Sequence, residues 1–66
     1  MKISIFKVKI AMARLQITRK QLAERTGLSE VTIDAYMQGR IQPSLPSLGK
    51  LAEALKVDVM EIIEMD

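Results

Sequence analysis

The side chains whose types and spacing could do chemistry lie between Arg19 and Gln38, and that chemistry is molecular recognition rather than catalysis. The 66-residue chain contains no cysteine and no histidine, so it lacks a thiol nucleophile and the commonest general base. It also lacks a glycine-rich phosphate-binding loop. The carboxylates at positions 58, 61 and 64 are spaced three residues apart, which a solvated helix face explains. We therefore expect no enzyme, no metal site and no cofactor.

The spacing of apolar residues and glycine between positions 19 and 38 predicts a helix-turn-helix. Leu22 and Ala23 mark the buried face of its first helix, which is expected to begin after Thr18. Thr18 and Gln21 are three residues apart, as in a capping box. Gly27 follows Ala23 by four residues, where the chain must turn through a left-handed conformation that glycine adopts with little strain.

The second helix of this motif is expected to begin at Ser29, whose hydroxyl can accept a hydrogen bond from a free backbone N–H. Ile33 and Tyr36 lie three residues apart, on the face that packs against the first helix. If these two residues are buried, positions 30, 31, 34 and 35 point outward. The motif would present this outward face to a groove of DNA.

The whole chain, residues 1–66, is predicted to be one all-α domain of five helices, with the helix-turn-helix formed by the second and third. Val8, Ala11, Met12 and Leu15 form the apolar stripe of the first helix. Ser4 is a candidate N-cap for this helix, although residues 3–5 alternate between apolar and polar and could form a short strand instead.

Two further helices are expected after the motif. The fourth begins near Ser44 and carries Pro46 in its first turn, where a missing backbone N–H has no consequence. Its apolar face consists of Leu45, Leu48, Leu51, Ala52 and Leu55. A short fifth helix is capped by Asp58, and Glu61 completes a capping box there.

Basic and acidic residues are distributed unevenly along the chain, although the net charge is only +2. Residues 1–25 contain seven basic residues and one acidic residue, whereas residues 26–66 contain three basic and seven acidic residues. A basic region of this kind is typical of proteins that bind a polyanion, but many small proteins segregate charge without a nucleic-acid partner. No apolar run approaches the roughly 20 residues that cross a membrane, so we expect a cytoplasmic protein.

The sequence resembles the Cro/phage-repressor (XRE-type) helix-turn-helix family over about residues 5–64. The motifs that carry the resemblance are QLAERTGLS at 21–29 with Ile33 after it, the Gly39-Arg40 turn, and PSLPSLGKLAEAL with two following valines at 43–59. The resemblance implies a compact, lambda-repressor-like domain of five helices. It also implies binding to double-stranded operator DNA, usually as a two-fold dimer that controls transcription.

The resemblance further implies which residues would contact DNA. The start of the third helix would enter the major groove, and the candidates for contacts with base edges are Ser29, Glu30, Val31, Thr32 and Ala35. The candidates for contacts with phosphates are Arg19, Gln38 and Arg40. Four of these residues also have a simpler interpretation, because the serine also caps a helix, the glutamate also suits the helix dipole, and the two arginines could be solvated charges.

The sequence departs from this family in two ways. Many members have an internal ion pair between an arginine in helix one and a glutamate after helix three, whereas this chain has Met12 and Met37, which predict an apolar replacement. The outward face of the third helix also lacks Arg, Lys, Asn and Gln before Gln38, the side chains that bind guanine and adenine most strongly. We therefore expect modest DNA affinity, with specificity from few hydrogen bonds, thymine methyl contacts and DNA shape.

Two functions remain open at this point. The first is a sequence-specific transcriptional repressor that binds a palindromic operator as a homodimer, with Met60 and Met65 in the dimer interface. The second is an antitoxin-like or partner-binding module on the same fold, in which DNA binding is secondary and the protein partner is unidentified. The acidic outward face of the third helix favours the second function, and the basic residues of the first helix favour the first.

Overall fold

The computed structural model describes residues 2–64, which form four α-helices, one short 3-10 helix and a two-stranded antiparallel sheet. The helices are α1 (Ile5–Leu15), α2 (Arg19–Thr26), α3 (Glu30–Met37) and α4 (Leu45–Leu55). The 3-10 helix spans Val59–Ile62, and the strands are β1 (Lys2–Ile3) and β2 (Ile63–Glu64). Within the described part of the chain, no helix has the length and hydrophobicity of a membrane-spanning segment.

Polar caps begin all four α-helices, as the sequence predicts. In each case a Ser or Thr side chain accepts a hydrogen bond from the backbone N–H three residues further on, and these caps are Ser4, Thr18, Ser29 and Ser44. At α2 the capping box is complete, since Thr18 Oγ1 accepts from the Gln21 N–H at 3.1 Å and Gln21 Oε1 accepts from the Thr18 N–H at 2.9 Å. These bonds satisfy donors that a helix start otherwise leaves free.

The hydrophobic core draws at least one side chain from every helix. The largest side chains that are almost completely buried are Val8, Leu22, Ile33, Leu51, Leu55, Ile62 and Ile63. Met12 and Met37 are both buried in the same cluster, at 8% and 7% exposure, as expected for apolar residues that replace an ion pair. Leu45 was expected on the apolar face of α4 but is 69% exposed, because it is the first residue of the helix and the buried stripe starts only at Leu48.

The prediction of five α-helices is wrong at the C-terminal end. Asp58 and Glu61 do form the expected capping box, but they cap a 3-10 helix of four residues rather than an α-helix. Ile63 is already extended, with φ −118° and ψ 156°, and it pairs with Ile3 in the sheet. A β-branched side chain favours this extended conformation, and pairing buries both isoleucines in the core.

The sheet joins the two ends of the described chain. Of the two sequence alternatives for the N-terminal segment, the cap at Ser4 is confirmed, whereas a strand over residues 3–5 is not, since β1 spans Lys2–Ile3 and α1 already begins at Ile5. The Ile3 N–H donates to Gln42 Oε1 at 3.0 Å, and Lys7 Nζ donates to the Ile63 carbonyl at 3.4 Å. The sheet is thereby tied to α1 and to the loop that follows α3.

Candidate nucleic-acid interface

A buried threonine fixes the turn that joins α2 to α3. Thr26 is 7% exposed, and its hydroxyl lies 2.9 Å and 3.1 Å from the carbonyl oxygens of Leu22 and Ala23. The same oxygen accepts a hydrogen bond from the Leu28 N–H at 3.2 Å. Gly27 adopts φ 77°, and its N–H donates to the Ala23 carbonyl at 2.9 Å. Hydrogen bonds within residues 22–28 therefore stabilise the turn. The sequence analysis did not predict the role of Thr26.

The first turn of α3 presents a small polar and apolar surface to solvent. Ser29 and Glu30 are exposed, Val31 is 73% exposed, and Thr32 is half-buried. Ser29 Oγ accepts from the Thr32 N–H at 3.1 Å and donates to Thr32 Oγ1 at 2.9 Å. Because the Ser29 hydroxyl is committed to this cap, the Thr32 hydroxyl hydrogen and the Glu30 carboxylate are the groups left to bond a partner.

An ion pair connects the start of α2 to the middle of α3. The distance from Arg19 Nη1 to Asp34 Oδ1 is 3.1 Å, and the two side chains are 45% and 43% exposed. The sequence interpretation placed both residues near DNA but did not pair them. The signal for the pairing was the opposite charges on two helices that must pack together.

The other two candidates for phosphate contacts lie on the segment that leaves α3. Gln38 is the C-cap of α3 and Arg40 follows two residues later, and both are exposed. Along the sequence, Arg19 precedes the turn that leads into α3, whereas Gln38 and Arg40 follow the end of α3. No group of three or more His, Cys, Asp or Glu side chains that could hold a metal occurs within residues 2–64.

Comparison with known proteins assigns the family. The sequence profile of the helix-turn-helix family matches residues 8–62, which contain α2, α3 and α4 in full. The chain belongs to the XRE-type helix-turn-helix family. The resemblance found in the sequence is therefore confirmed, and membership supports a DNA-binding transcriptional regulator.

Solved structures similar to this XRE-type protein include two regulators and one further bacterial protein. The P22 c2 repressor, in complex with a synthetic operator, superposes with a TM-score of 0.84 at 20% identity, and 100% of each chain is covered. The restriction-modification controller protein C.AhdI from Aeromonas hydrophila gives 0.78 at 24% identity, and 83% of each chain is covered. A candidate DNA-binding protein from Bacteroides fragilis gives 0.77 at 41% identity, with 88% of this chain and 94% of that chain covered. No curated protein shows a significant match to the chain.

One predicted contact residue of this XRE-type protein does not reach the surface. Ala35 was expected to point outward from α3, yet it is only 7% exposed. Two backbone hydrogen bonds close the C-terminal end of α3, from the Arg40 N–H to the Ala35 carbonyl at 3.0 Å and from the Gly39 N–H to the Tyr36 carbonyl at 3.1 Å. The expected outward exposure of Ala35 is therefore wrong, because a buried methyl group offers little surface to a base edge.

The charge on α3 of this XRE-type protein is negative, as the sequence indicates. Glu30 and Asp34 are its two charged residues, and neither Lys nor Arg occurs between positions 30 and 37. Glu30 lies in the first turn, where the positive end of the helix dipole stabilises a carboxylate. Positive charge for a polyanion must therefore come from the flanking residues, of which Arg19 is paired with Asp34.

The two methionines predicted for a dimer interface lie at the C-terminal end. Met60, in the 3-10 helix, is 56% exposed, so an apolar side chain is available there for contact with a second molecule. Met65 lies outside the described residues.

Proposed function

We propose that this XRE-type protein is a transcriptional repressor that binds a palindromic double-stranded operator as a homodimer. The observation that carries the proposal is the first turn of α3, which presents Glu30, Val31 and Thr32 at the end of a turn fixed by Thr26. In this function that turn enters the major groove of DNA. Such a repressor acts in the cytoplasm, on the nucleoid.

The exposed groups of α3 have the chemistry to read base edges. The Glu30 carboxylate accepts a hydrogen bond from the N4 amine of cytosine, and the Val31 methyls pack against the C5-methyl of thymine. The Thr32 hydroxyl donates to an acceptor on either kind of pair. Ser29 contributes through the cap that orients Thr32.

Phosphate contacts position the helix in the groove in this proposal. Arg19 would grip the backbone on one side of α3, and Gln38 and Arg40 would grip it on the other. The P22 c2 repressor, solved in complex with a synthetic operator, and the C.AhdI controller protein share the fold of this chain, which is compatible with this proposal. None of these three phosphate contacts carries sequence information, so specificity depends on α3 and on DNA shape.

A homodimer would place two copies of α3 one helical turn of DNA apart, about 34 Å. Met60 and Met65 are the proposed interface residues, and the exposure of Met60 supports its part in the contact. We expect Met60→Lys to shift sedimentation toward the monomer, because a charged group would have to be desolvated in the interface. If Met60→Lys leaves the association state unchanged, Met60 lies outside the interface.

Binding selection from a pool of randomised duplexes, followed by a salt titration on the selected sequence, tests the proposal. We expect a two-fold-symmetric site with half-sites about 10 base pairs apart, and an affinity that falls steeply with salt. Val31→Glu should abolish the enrichment, because it adds a carboxylate to the groove surface. Phe6→Glu is the matched control, since Phe6 is 71% exposed and Val31 73%, and it should leave the selected sequence unchanged.

A partner-binding module is the second candidate function, and the negative charge of α3 favours it. Two carboxylates on this helix repel phosphates, and one of them pairs with Arg19. No enrichment in the selection, with only weak binding to all duplexes, would favour this alternative. Isolation of a bound protein from cell extract would then test it, with Val31→Glu and Phe6→Glu again as the matched pair.

A further inference from the structure

Asp34 occupies a position on α3 where it opposes DNA binding in two ways. Its carboxylate adds negative charge to the helix, and it also holds the guanidinium of Arg19 at 3.1 Å. Arg19 is one of three residues that the proposed function assigns to phosphates. Both side chains are close to half-exposed, so the pair is accessible to solvent and to an approaching polyanion.

The pairing changes the electrostatics of DNA binding because the two charges cancel. A free arginine that contacts a phosphate displaces a counterion from DNA, and each such contact steepens the salt dependence of binding. An arginine whose charge is cancelled by a carboxylate neutralises no phosphate while the pair stays closed, so it contributes no such release. The second ion pair in residues 2–64, Lys2 with Glu64 at 3.6 Å, lies in the terminal sheet rather than in the helix-turn-helix.

We propose that Asp34 neutralises Arg19 and so weakens binding to DNA of arbitrary sequence. The inference rests on the proposed function, because it assumes that Arg19 faces DNA. With Arg19 neutralised, the general attraction of the protein to the DNA backbone is lower.

A double-mutant cycle on non-specific DNA tests the inference. We would measure the binding of a labelled duplex of random sequence over a range of salt concentrations for wild type, Asp34→Asn, Arg19→Gln and the double variant. Asp34→Asn is nearly the same size as aspartate, removes its charge and keeps a hydrogen-bond acceptor for Arg19. Its new amide donor could also contact DNA, and the Arg19→Gln background measures that contribution separately. Glu30→Gln, alone and combined with Arg19→Gln, is the matched control, because it also removes one negative charge from α3.

We expect Asp34→Asn to tighten non-specific binding roughly two- to five-fold more when Arg19 is present than in the Arg19→Gln background. The slope of log affinity against log salt should steepen by about 0.9 only when Arg19 is present. The gain from Glu30→Gln should be the same in both backgrounds, because Glu30 is not paired with Arg19.

Two results would overturn the inference while leaving the proposed function intact. One is an equal gain from Asp34→Asn in both backgrounds, which would mean that the carboxylate acts by repulsion alone. The other is a loss of affinity in Asp34→Asn, which would mean that the pair holds Arg19 in position for a phosphate. If no variant binds duplex DNA at low salt, the proposed function fails and the inference fails with it.

Discussion

Two regions of the molecule differ in the sequence separation of the contacts that stabilise them. These are the turn between α2 and α3 and the sheet that joins the ends of the described chain. In the turn, the hydrogen bonds of Thr26 reach Leu22 and Leu28, four and two residues away. At the sheet, Ile3 bonds to Gln42 across 39 residues and Lys7 bonds to Ile63 across 56. The proposed recognition surface is thus shaped by local bonds, whereas its support depends on contacts that exist only in the complete fold.

The largest expected effect on stability is in the sheet, where the contacts are between residues far apart in the sequence. Ile63→Ala removes a side chain that is 1% exposed, and we expect it to lower the free energy of unfolding by about 3 kcal/mol. Ile41→Ala is the control, because Ile41 is 48% exposed and should lose less than about 1 kcal/mol. Urea unfolding measures both. Similar losses in the two variants would mean that the sheet is peripheral to the fold.

The local side of the comparison is tested by Thr26→Val, which keeps the shape of the side chain but removes the hydroxyl. The Leu28 N–H would lose its acceptor in a partly buried site, and we expect a loss of about 1–2 kcal/mol. Hydrogen exchange should show faster exchange of the Leu28 amide than in wild type. Thr26→Ser keeps the hydroxyl and is the control, so an equal increase in exchange in Thr26→Ser would exclude the hydrogen bond as the cause.

The range of a contact also decides how much of this molecule could be predicted from its sequence. The helix caps and the left-handed Gly27 depend on residues within four positions of one another, and all were predicted. The pairing of Ile3 with Ile63 leaves no local pattern, so a fifth α-helix was expected in its place.

The features of the candidate site also differ in whether the sequence could predict them. The exposure of Glu30 and Val31 follows from helical periodicity and was predicted correctly. Ala35 is buried although helical periodicity predicted that it points outward, because the burial of a side chain depends on tertiary packing as well as on its position in a helix. The pairing of Arg19 with Asp34 requires the packing of two helices, and the sequence supplies only the two opposite charges.

A smaller effect is expected at the link between the sheet and the loop after α3. Gln42→Ala removes the acceptor for the Ile3 N–H, and we expect a loss of about 0.5–1 kcal/mol in thermal unfolding. Gln38→Ala is the control for stability, because Gln38 is exposed and its cap bond uses the backbone N–H. An unchanged melting temperature in Gln42→Ala would mean that this hydrogen bond does not stabilise the sheet and that its apolar side chains do so alone.

The smallest expected effect on stability is at Lys56, the C-cap of α4. Like Gly27 in the turn, Lys56 has a left-handed backbone, with φ 58°. Lysine is strained in this conformation, so Lys56→Gly should raise the free energy of unfolding by about 0.5 kcal/mol. Lys50→Gly makes the same substitution inside α4 and should lower it by about 1 kcal/mol. Destabilisation by both variants would show that Lys56 has contacts that outweigh its strain.

The central claim is that the first turn of α3 contacts DNA, and an amide NMR titration of the isotope-labelled protein with duplex DNA tests it most directly. The account predicts that the amides of residues 29–32 and 38–40 shift most, while those of the sheet, β1 with β2, stay in place. Shifts confined to the sheet and the 3-10 helix, with α3 unchanged, would contradict the account.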